Sequence, residues 1–292
     1  MSTSRALILL SGLAAAQVQA AVTVRDDDGK AVTLQKPARR VISMAPHITE
    51  LLFAAGGGSH VVGVAAYSDF PEEAKKIQQI GSSREVDLER IMALKPDLIV
   101  VWQPGSSERQ IATLRKLGVP LFHNKPQKLE DIPEGVVKLG QLMGTEKAAT
   151  PVAAELRQQL AGLRSRYGNR PVVRAFYQVW DQPLYTLNGE HIVSEALRLC
   201  GGENIFAGLP TMAPVVSVEG VLQKNPEAIF ATAEKNYGGV NMWKPYGTLL
   251  AVRNGNLFTI DGNLLNRSGP RMIAGAAILC EKLELARRHR GK

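Results

Sequence analysis

No stretch of this 292-residue sequence approaches the ~20 consecutive apolar residues that a membrane-spanning helix requires. Catalytic signatures are missing too. There is no Gly-x-Gly-x-x-Gly, no phosphate-cradling Gly-Lys-Ser/Thr loop, no His-Glu-x-x-His and no Gly-x-Ser-x-Gly. Gly56-Gly57-Gly58 has no lysine or hydroxyl at phosphate-loop spacing and reads as a turn between a helix and a strand. Aromatic residues make up only 5% of the chain, and there are only two cysteines, Cys200 and Cys280. The formal charge of +8 comes from scattered Lys and Arg mostly accompanied by acids, without a basic stripe interleaved with aromatics, so nothing argues for nucleic-acid binding. The densest basic cluster, Arg287-Arg288-His289-Arg290, is expected to be a solvated tail.

The first residues speak to the compartment. Arg5, an apolar core over 6–10 continuing through 13–16, and Val18-Gln19-Ala20 form a short basic region, a hydrophobic region and a small-residue cleavage site. Export and cleavage behind about Ala20 are expected. In an oxidising compartment two cysteines suggest one disulfide, worth on the order of 4–5 kcal/mol in the chain-entropy model. Metal ligation is the alternative, although neither cysteine has a Cys or His partner at ligand spacing.

Short β-rich runs at 40–44, 60–65, 98–102 and 121–123 alternate with amphipathic stretches at 49–55, 88–94, 107–117 and 129–143. A second series has strands at 172–178, 228–233 and 257–260, with helices near 192–199, 219–224 and 271–287. The alternation predicts an α/β fold with largely parallel strands. Between the series, Ala153, Leu156, Leu160, Leu163 and Tyr167 form one helical stripe. Thr150 as cap with Pro151 in the first turn is one start; Thr145 is the other, with Pro151 then inside the helix. Gly168 is expected to end it. The chain therefore divides into a cleaved segment 1–20, an amino-terminal lobe 21–144, a connecting helix 145–168 and a carboxy-terminal lobe 169–292.

The lobes share a repeat. Residues 88–99 (Leu-Glu-Arg-Ile-Met-Ala-Leu-Lys-Pro-Asp-Leu-Ile) align without gaps to 218–229 (Val-Glu-Gly-Val-Leu-Gln-Lys-Asn-Pro-Glu-Ala-Ile), each a helix begun by an acid, stopped before proline and followed by an acid and a strand. Gly118-Val119-Pro120-Leu121-Phe122 likewise resembles Gly255-Asn256-Leu257-Phe258. Repetition implies two pseudo-symmetric lobes with a ligand cleft between them. Trp102, Tyr67 and Tyr185 follow strand runs and are expected at the carboxyl edges of the sheets, where α/β folds bind ligands. The histidines His47, His60, His123, His191 and His289 are dispersed; metal capture needs three or four His or carboxylate ligands to converge, and strand ends could bring His47, His60, His123 and His191 near the cleft.

On Pro46-His47-Ile48-Thr49-Glu50-Leu51, Tyr67-Ser68-Asp69-Phe70-Pro71, the run from Leu88 to Trp102, Cys200-Gly201-Gly202-Glu203-Asn204-Ile205-Phe206 and Pro270-Arg271, the chain resembles the periplasmic cobalamin-binding proteins of ABC importers. These belong to the receptors whose two lobes are joined by one long helix. The resemblance implies a disulfide between Cys200 and Cys280, and docking of Glu89 and Glu219 on arginines of the membrane subunits. It also implies ligand contacts at Pro46, His47, Tyr67, Trp102, Tyr185, Asn263 and Arg267. It implies no cofactor or resident metal, a corrinoid as transported ligand, and a monomer working with an importer rather than an enzyme. Ser83 and Ala213 stand where the family's best-known cobalamin receptor has tryptophans, and Asn263 where it has aspartate. Trp180, Tyr237 or Trp243, the last in a glycine-rich stretch expected to form a flap, are candidate replacements. Receptors of the same fold for haem, ferric siderophores or a metal ion are the alternatives, with Arg84, Arg267 and Arg271 suited to a siderophore; the loop 81–84 has no tyrosine to ligate haem.

Overall fold

The computed structural model describes residues 21–82, 85–102, 105–232 and 239–290. The segment 1–20, Ser83, Arg84 and Tyr237, which carried expectations above, lie outside them.

An antiparallel hairpin opens the described chain, β1 (Val22–Arg25) and β2 (Ala31–Leu34). The first lobe then runs β3 (Val41–Ser43), α1 (Pro46–Ala54), β4 (Val61–Val64), α2 (Leu88–Ala93), β5 (Leu98–Trp102), α3 (Glu108–Arg115), β6 (Leu121–Asn124) and α4 (Asp131–Met143). A single long helix, α5 (Glu146–Tyr167), follows. The second lobe holds β7 (Val173–Gln178), the short hairpin β8 (Trp180–Asp181) and β9 (Leu184–Tyr185), α6 (Ile192–Leu199), β10 (Gly202–Asn204) and α7 (Val218–Lys224). It ends with β11 (Ala228–Thr232), α8 (Leu250–Arg253), β12 (Leu257–Ile260), α9 (Gly262–Leu265) and α10 (Arg271–Arg288).

The two four-stranded sheets are wholly parallel, ordered β4-β3-β5-β6 and β10-β7-β11-β12. Replacing β3, β4, β5 and β6 by β7, β10, β11 and β12 converts one order into the other, so the lobes are pseudo-equivalent. Their central strands are buried on both faces, which accounts for continuous apolar runs such as 98–101.

The repeat is legible at the level of single hydrogen bonds. Lys95 and Asn225 both take the left-handed conformation, at φ 46° and 43°, to end α2 and α7 before their prolines. Arg40 Nε donates to the Leu94 carbonyl at 2.8 Å, and Arg174 Nη2 to the equivalent Lys224 carbonyl at 2.7 Å. The acid after each proline accepts from the backbone at the start of an inner strand of its sheet, β3 in the first lobe and β7 in the second. Asp97 takes the Arg39 and Arg40 amides at 2.8 and 2.9 Å, and Glu227 takes the Arg174 amide at 3.3 Å. Gly118 and Gly255, at φ 71° and 65°, turn the chain into β6 and β12.

Helix α5 starts after Thr145, not Thr150, and carries Pro151 inside it. Packing decides the start: the Thr145 amide bonds the Gly140 carbonyl at 2.8 Å, its hydroxyl reaches the Ala55 carbonyl at 2.6 Å, and Ala149 is buried against Gly140 of α4. Pro151 sits on the exposed side of the second turn, where one missing amide bond is tolerated. Ala153, Leu156, Leu160 and Tyr167 are buried and Leu163 packs on the same core, so the expected stripe is the face α5 presents. Gly168 follows in a right-handed rather than left-handed conformation, and a β-carbon there would come within 2.7 Å of the Arg164 carbonyl. At 22 residues α5 is ~33 Å long.

The carboxy-terminal basic cluster is not a solvated tail. Arg287 is buried and donates to the carbonyls of Pro171 (2.7 Å), Cys200 (2.6 Å) and Gly201 (3.1 Å), with Glu284 as its counter-ion at 3.0 Å. His289 Nδ1 lies 2.7 Å from Asn256 Oδ1, and Arg290 pairs with Glu227 at 2.6 Å and donates to the Val172 carbonyl. These long side chains bond carbonyls in the segments that lead into β7 and β10. Beside them, Cys200 and Cys280 form a disulfide with a Cα–Cα distance of 4.7 Å, joining the end of α6 to α10.

Candidate functional site

Parallel strands place all their carboxyl ends on one side of a sheet, and the expected ligand residues follow those ends. After β3, α1 begins at Pro46, three residues before the expected start, because proline suits the first helical position. His47 therefore lies within the first turn of α1. It does not cap the helix; it packs edge-on against Trp102, ring centroids 5.2 Å apart at 82°. Burial pushes its pKa down to about 4, with Asn124 the polar neighbour that favours the proton and Arg267 opposing it. His47 Nε2 and Asn124 Oδ1 are both buried without a hydrogen-bond partner.

Trp102 closes β5, half-buried. A β-carbon on Gly105 would fall 2.0 Å from its ring, so the backbone at Gly105 lies directly on the indole and holds it. The free part of Trp102 faces a cavity lined from the first lobe by Lys125, Pro126 and Gln127 and from the second by Glu190, His191, Ile192, Met212 and Ser268. The loop carrying Lys125 and Gln127 is braced from below. Asp27 accepts from the Lys125 amide at 2.8 Å and pairs with Lys138 at 3.0 Å, while Asp131 accepts from the Gln127 and Lys128 amides, each at 2.8 Å. His191 caps α6: its Nδ1 accepts from the Val193 amide at 3.2 Å, which places the proton on Nε2, and burial lowers its pKa to about 4.

The remaining expected residues are not among those that line this cavity. Tyr67 follows β4, 78% exposed and in the left-handed conformation at φ 67°. Tyr185 is half-buried in β9, paired with Trp180 and bridged to Val215. Asn263 is exposed on α9, where its amide donates to Asp261 at 2.9 Å. Arg267 crosses between the lobes: its guanidinium binds Asp69 at 2.5 Å and lies 3.6 Å from Glu50. That contact holds the Asp69 carboxyl below the usual carboxylate range.

Three partners in this crossing were not singled out as a unit from the sequence. Glu50, on α1 and nearly inaccessible, receives a two-pronged contact from Arg271 at 3.0 and 2.6 Å, and Arg271 also lies 4.0 Å over the Phe70 ring. An acid among Ile48, Leu51 and Leu52 in a buried helix signals a cation nearby, but not which one. Gly269 lets the second lobe come this close, since a β-carbon would meet Glu50 Oε2 at 3.2 Å and the His47 carbonyl at 3.3 Å.

Two expectations are corrected. Trp243 is fully buried in the second core, against Phe176 and Tyr246, with its indole donating to Gln178 at 2.7 Å; it is not part of a flap and cannot wall the cleft. Nor do the histidines converge. His60 contacts Arg39 at 2.7 Å, His123 pairs with Asp28 at 3.3 Å and His289 with Asn256, so only His47 and His191 reach the cleft region. Among the described residues one group, Asp26, Asp28 and His123, is close enough to share an ion, and Asp26 already accepts amides of the β1–β2 turn.

Glu89 and Glu219 stand at the second position of α2 and α7, each exposed, beside the caps Asp87 and Ser217. No ion pair involves either carboxylate among the described residues.

The family description "Periplasmic binding protein" matches residues 41–264, which span both sheets and the connecting helix. The chain belongs to the periplasmic binding protein family. This family member is 36% identical over 253 residues to the vitamin B12-binding protein of Vibrio cholerae, covering 86% of this chain and 91% of that one. It is 37% identical over 248 residues to that of Yersinia pestis, covering 84% and 86%. Among solved structures, the periplasmic vitamin B12 binding protein BtuF of Vibrio cholerae superimposes with a TM-score of 0.81 at 35% identity, over 86% of this chain and 99% of that one. The periplasmic heme-binding protein RhuT from Roseiflexus, at 23% identity and a TM-score of 0.74, shares the fold of this periplasmic binding protein.

Proposed function

We propose that this chain is an exported receptor that captures cobalamin or a related corrinoid in the cleft between its lobes and hands it to the membrane subunits of an ABC importer. The observation that carries the reading is identity above one third, over more than four fifths of the chain, to proteins named for vitamin B12 binding. The cleft supports it physically: a fixed indole at Trp102, with polar groups at Gln127 and Ser268, suits a large ligand with an apolar face and amide-bearing edges. Pro46, His47, Tyr67, Tyr185, Asn263 and Arg267 are the further contacts in this reading. His47 acts there as a neutral imidazole. The chain works as a monomer without a resident cofactor, as a receptor rather than an enzyme, with 1–20 removed on export and lobes 21–144 and 169–292 on either side of the helix at 145–168.

Delivery rests on Glu89 and Glu219, one exposed carboxylate at the same place on each pseudo-equivalent lobe, meeting cations of the two membrane subunits. Calorimetric titration of the mature protein with cyanocobalamin, cobinamide and hemin tests the ligand: tight binding of a corrinoid is expected, and hemin alone binding would transfer the assignment to haem. Charge reversal at Glu89→Arg/Glu219→Arg is expected to abolish corrinoid-dependent growth while leaving the titration unchanged. Normal uptake by that variant would remove the docking assignment.

A further inference from the structure

We infer that Met212 is a specificity-determining contact, closing on the cleft ligand from the second lobe across from Trp102; this rests on the receptor reading above. Met212 is 38% exposed, and it is an apolar side chain left open to solvent on the second lobe's side of the cavity that Trp102 lines. Its backbone is pinned. The Met212 carbonyl accepts from the Asn188 amide at 2.9 Å, the Pro214 carbonyl from the Thr186 amide at 3.0 Å, and the Val216 amide donates to the Leu184 carbonyl at 2.9 Å. Asn188 is itself held, donating to the Leu209 carbonyl at 3.1 Å and accepting from the Glu190 amide at 3.0 Å.

A fixed backbone thus carries a side chain with three rotatable bonds and a polarizable sulfur, facing an indole backed by the Gly105 backbone. The pair makes a clamp with one rigid and one adaptable wall. Such a clamp takes a broad apolar or π-rich face and follows its contour, where a second ring, absent at Ala213, would demand one shape. Met212 therefore supplies contact area on that side and sets how much variation in the ligand's face is accepted.

The test uses Met212→Ala, Met212→Leu and, as a control remote from the cavity, Val172→Ala, titrated with cyanocobalamin, cobinamide and hemin. For whichever of these the parent protein binds, Met212→Ala is expected to weaken binding about tenfold, Met212→Leu by less than about threefold, and Val172→Ala not at all. A second readout needs no variant. Saturating ligand is expected to protect Met212 from oxidation by dilute peroxide, scored by mass spectrometry, while Met92, exposed on α2, oxidises at an unchanged rate. Binding by the parent with Met212→Ala unaffected and Met212 oxidised equally with and without ligand overturns the inference and leaves the receptor reading standing. Binding of no probe by the parent overturns both.

Discussion

At the scale of single residues, the cleft histidines carry the clearest pH consequence. His47 and His191 both have folded pKa values of about 4, against an ordinary 6.5, because burial disfavours the charged ring. Between these limits the unfolded chain holds protons that the folded chain does not. Stability is therefore undiminished above about pH 6.5 and falls as pH drops toward 4, by up to about 1.4 kcal/mol per pH unit for each ring. Urea unfolding at pH 7, 6, 5 and 4.5 measures the slope, and His47→Asn is expected to remove part of it. The same shift keeps His47 neutral through the physiological range, so ligand affinity is expected to be flat between pH 6 and 8. Of the proposed ligand contacts, Trp102 and Tyr185 were picked out in the sequence because each follows a β-rich run. His47 was legible as a cleft residue but not as a packing partner of Trp102, because the order of strands in the sheet decides that neighbour. Met212 left no signal: an exposed methionine in a loop has no pattern until the loop is laid against residues 184–188.

At the scale of elements, the repeated helix–strand unit solves one problem twice with different residues. The end of each helix needs a left-handed residue, supplied by Lys95 in the first lobe and Asn225 in the second. Asparagine tolerates that conformation better than lysine. Asn225 Oδ1 also accepts from the Leu250 amide at 2.9 Å. Lys95→Asn is therefore expected to stabilise the protein by about 0.5–1 kcal/mol, and Asn225→Lys to destabilise it by about 1–2 kcal/mol, in thermal or urea unfolding. The acid–proline–acid spacing revealed this unit from the sequence because the backbone geometry it encodes is local. The start of α5 was less legible. Thr150-Pro151 carries a good local start signal, but the contacts of Thr145 with nearby Gly140 and with Ala55, which is distant in sequence, outweigh it. The carboxy-terminal arginines misled for the same reason: their partners are carbonyls near 171, 172 and 200, and no periodicity marks an arginine that folds back.

At the scale of the whole molecule, α5 and the Glu50–Arg271 and Asp69–Arg267 contacts tie the lobes at separate places. A stiff helix in place of strand linkers resists hinge closure, so X-ray scattering with and without ligand is expected to show only a small change in radius of gyration. Glu50 is buried while Arg271 is partly open to water, so removing the carboxylate leaves a cation that can be partly solvated. Glu50→Gln is expected to cost about 2–4 kcal/mol in urea unfolding and to broaden the inter-lobe distance distribution measured between spin labels on the two lobes. Arg271→Lys, which keeps the charge but loses the two-pronged geometry, is expected to fall between Glu50→Gln and the parent in both measurements.

The sequence by itself determined the α/β class, the duplication, the connecting helix and its buried stripe, and the family to which the chain belongs. Each of these rests on patterns within a few turns of backbone or on spacing kept along the chain. Only the tertiary structure decided which side chains share the cleft, that Glu50 and Asp69 answer Arg271 and Arg267 across it, that Trp243 is core, and that Met212 stands on the cavity wall with Trp102. Those outcomes depend on how two sheets and one helix are set against each other. Such pairings join residues far apart in sequence and have no local periodicity from which to be read.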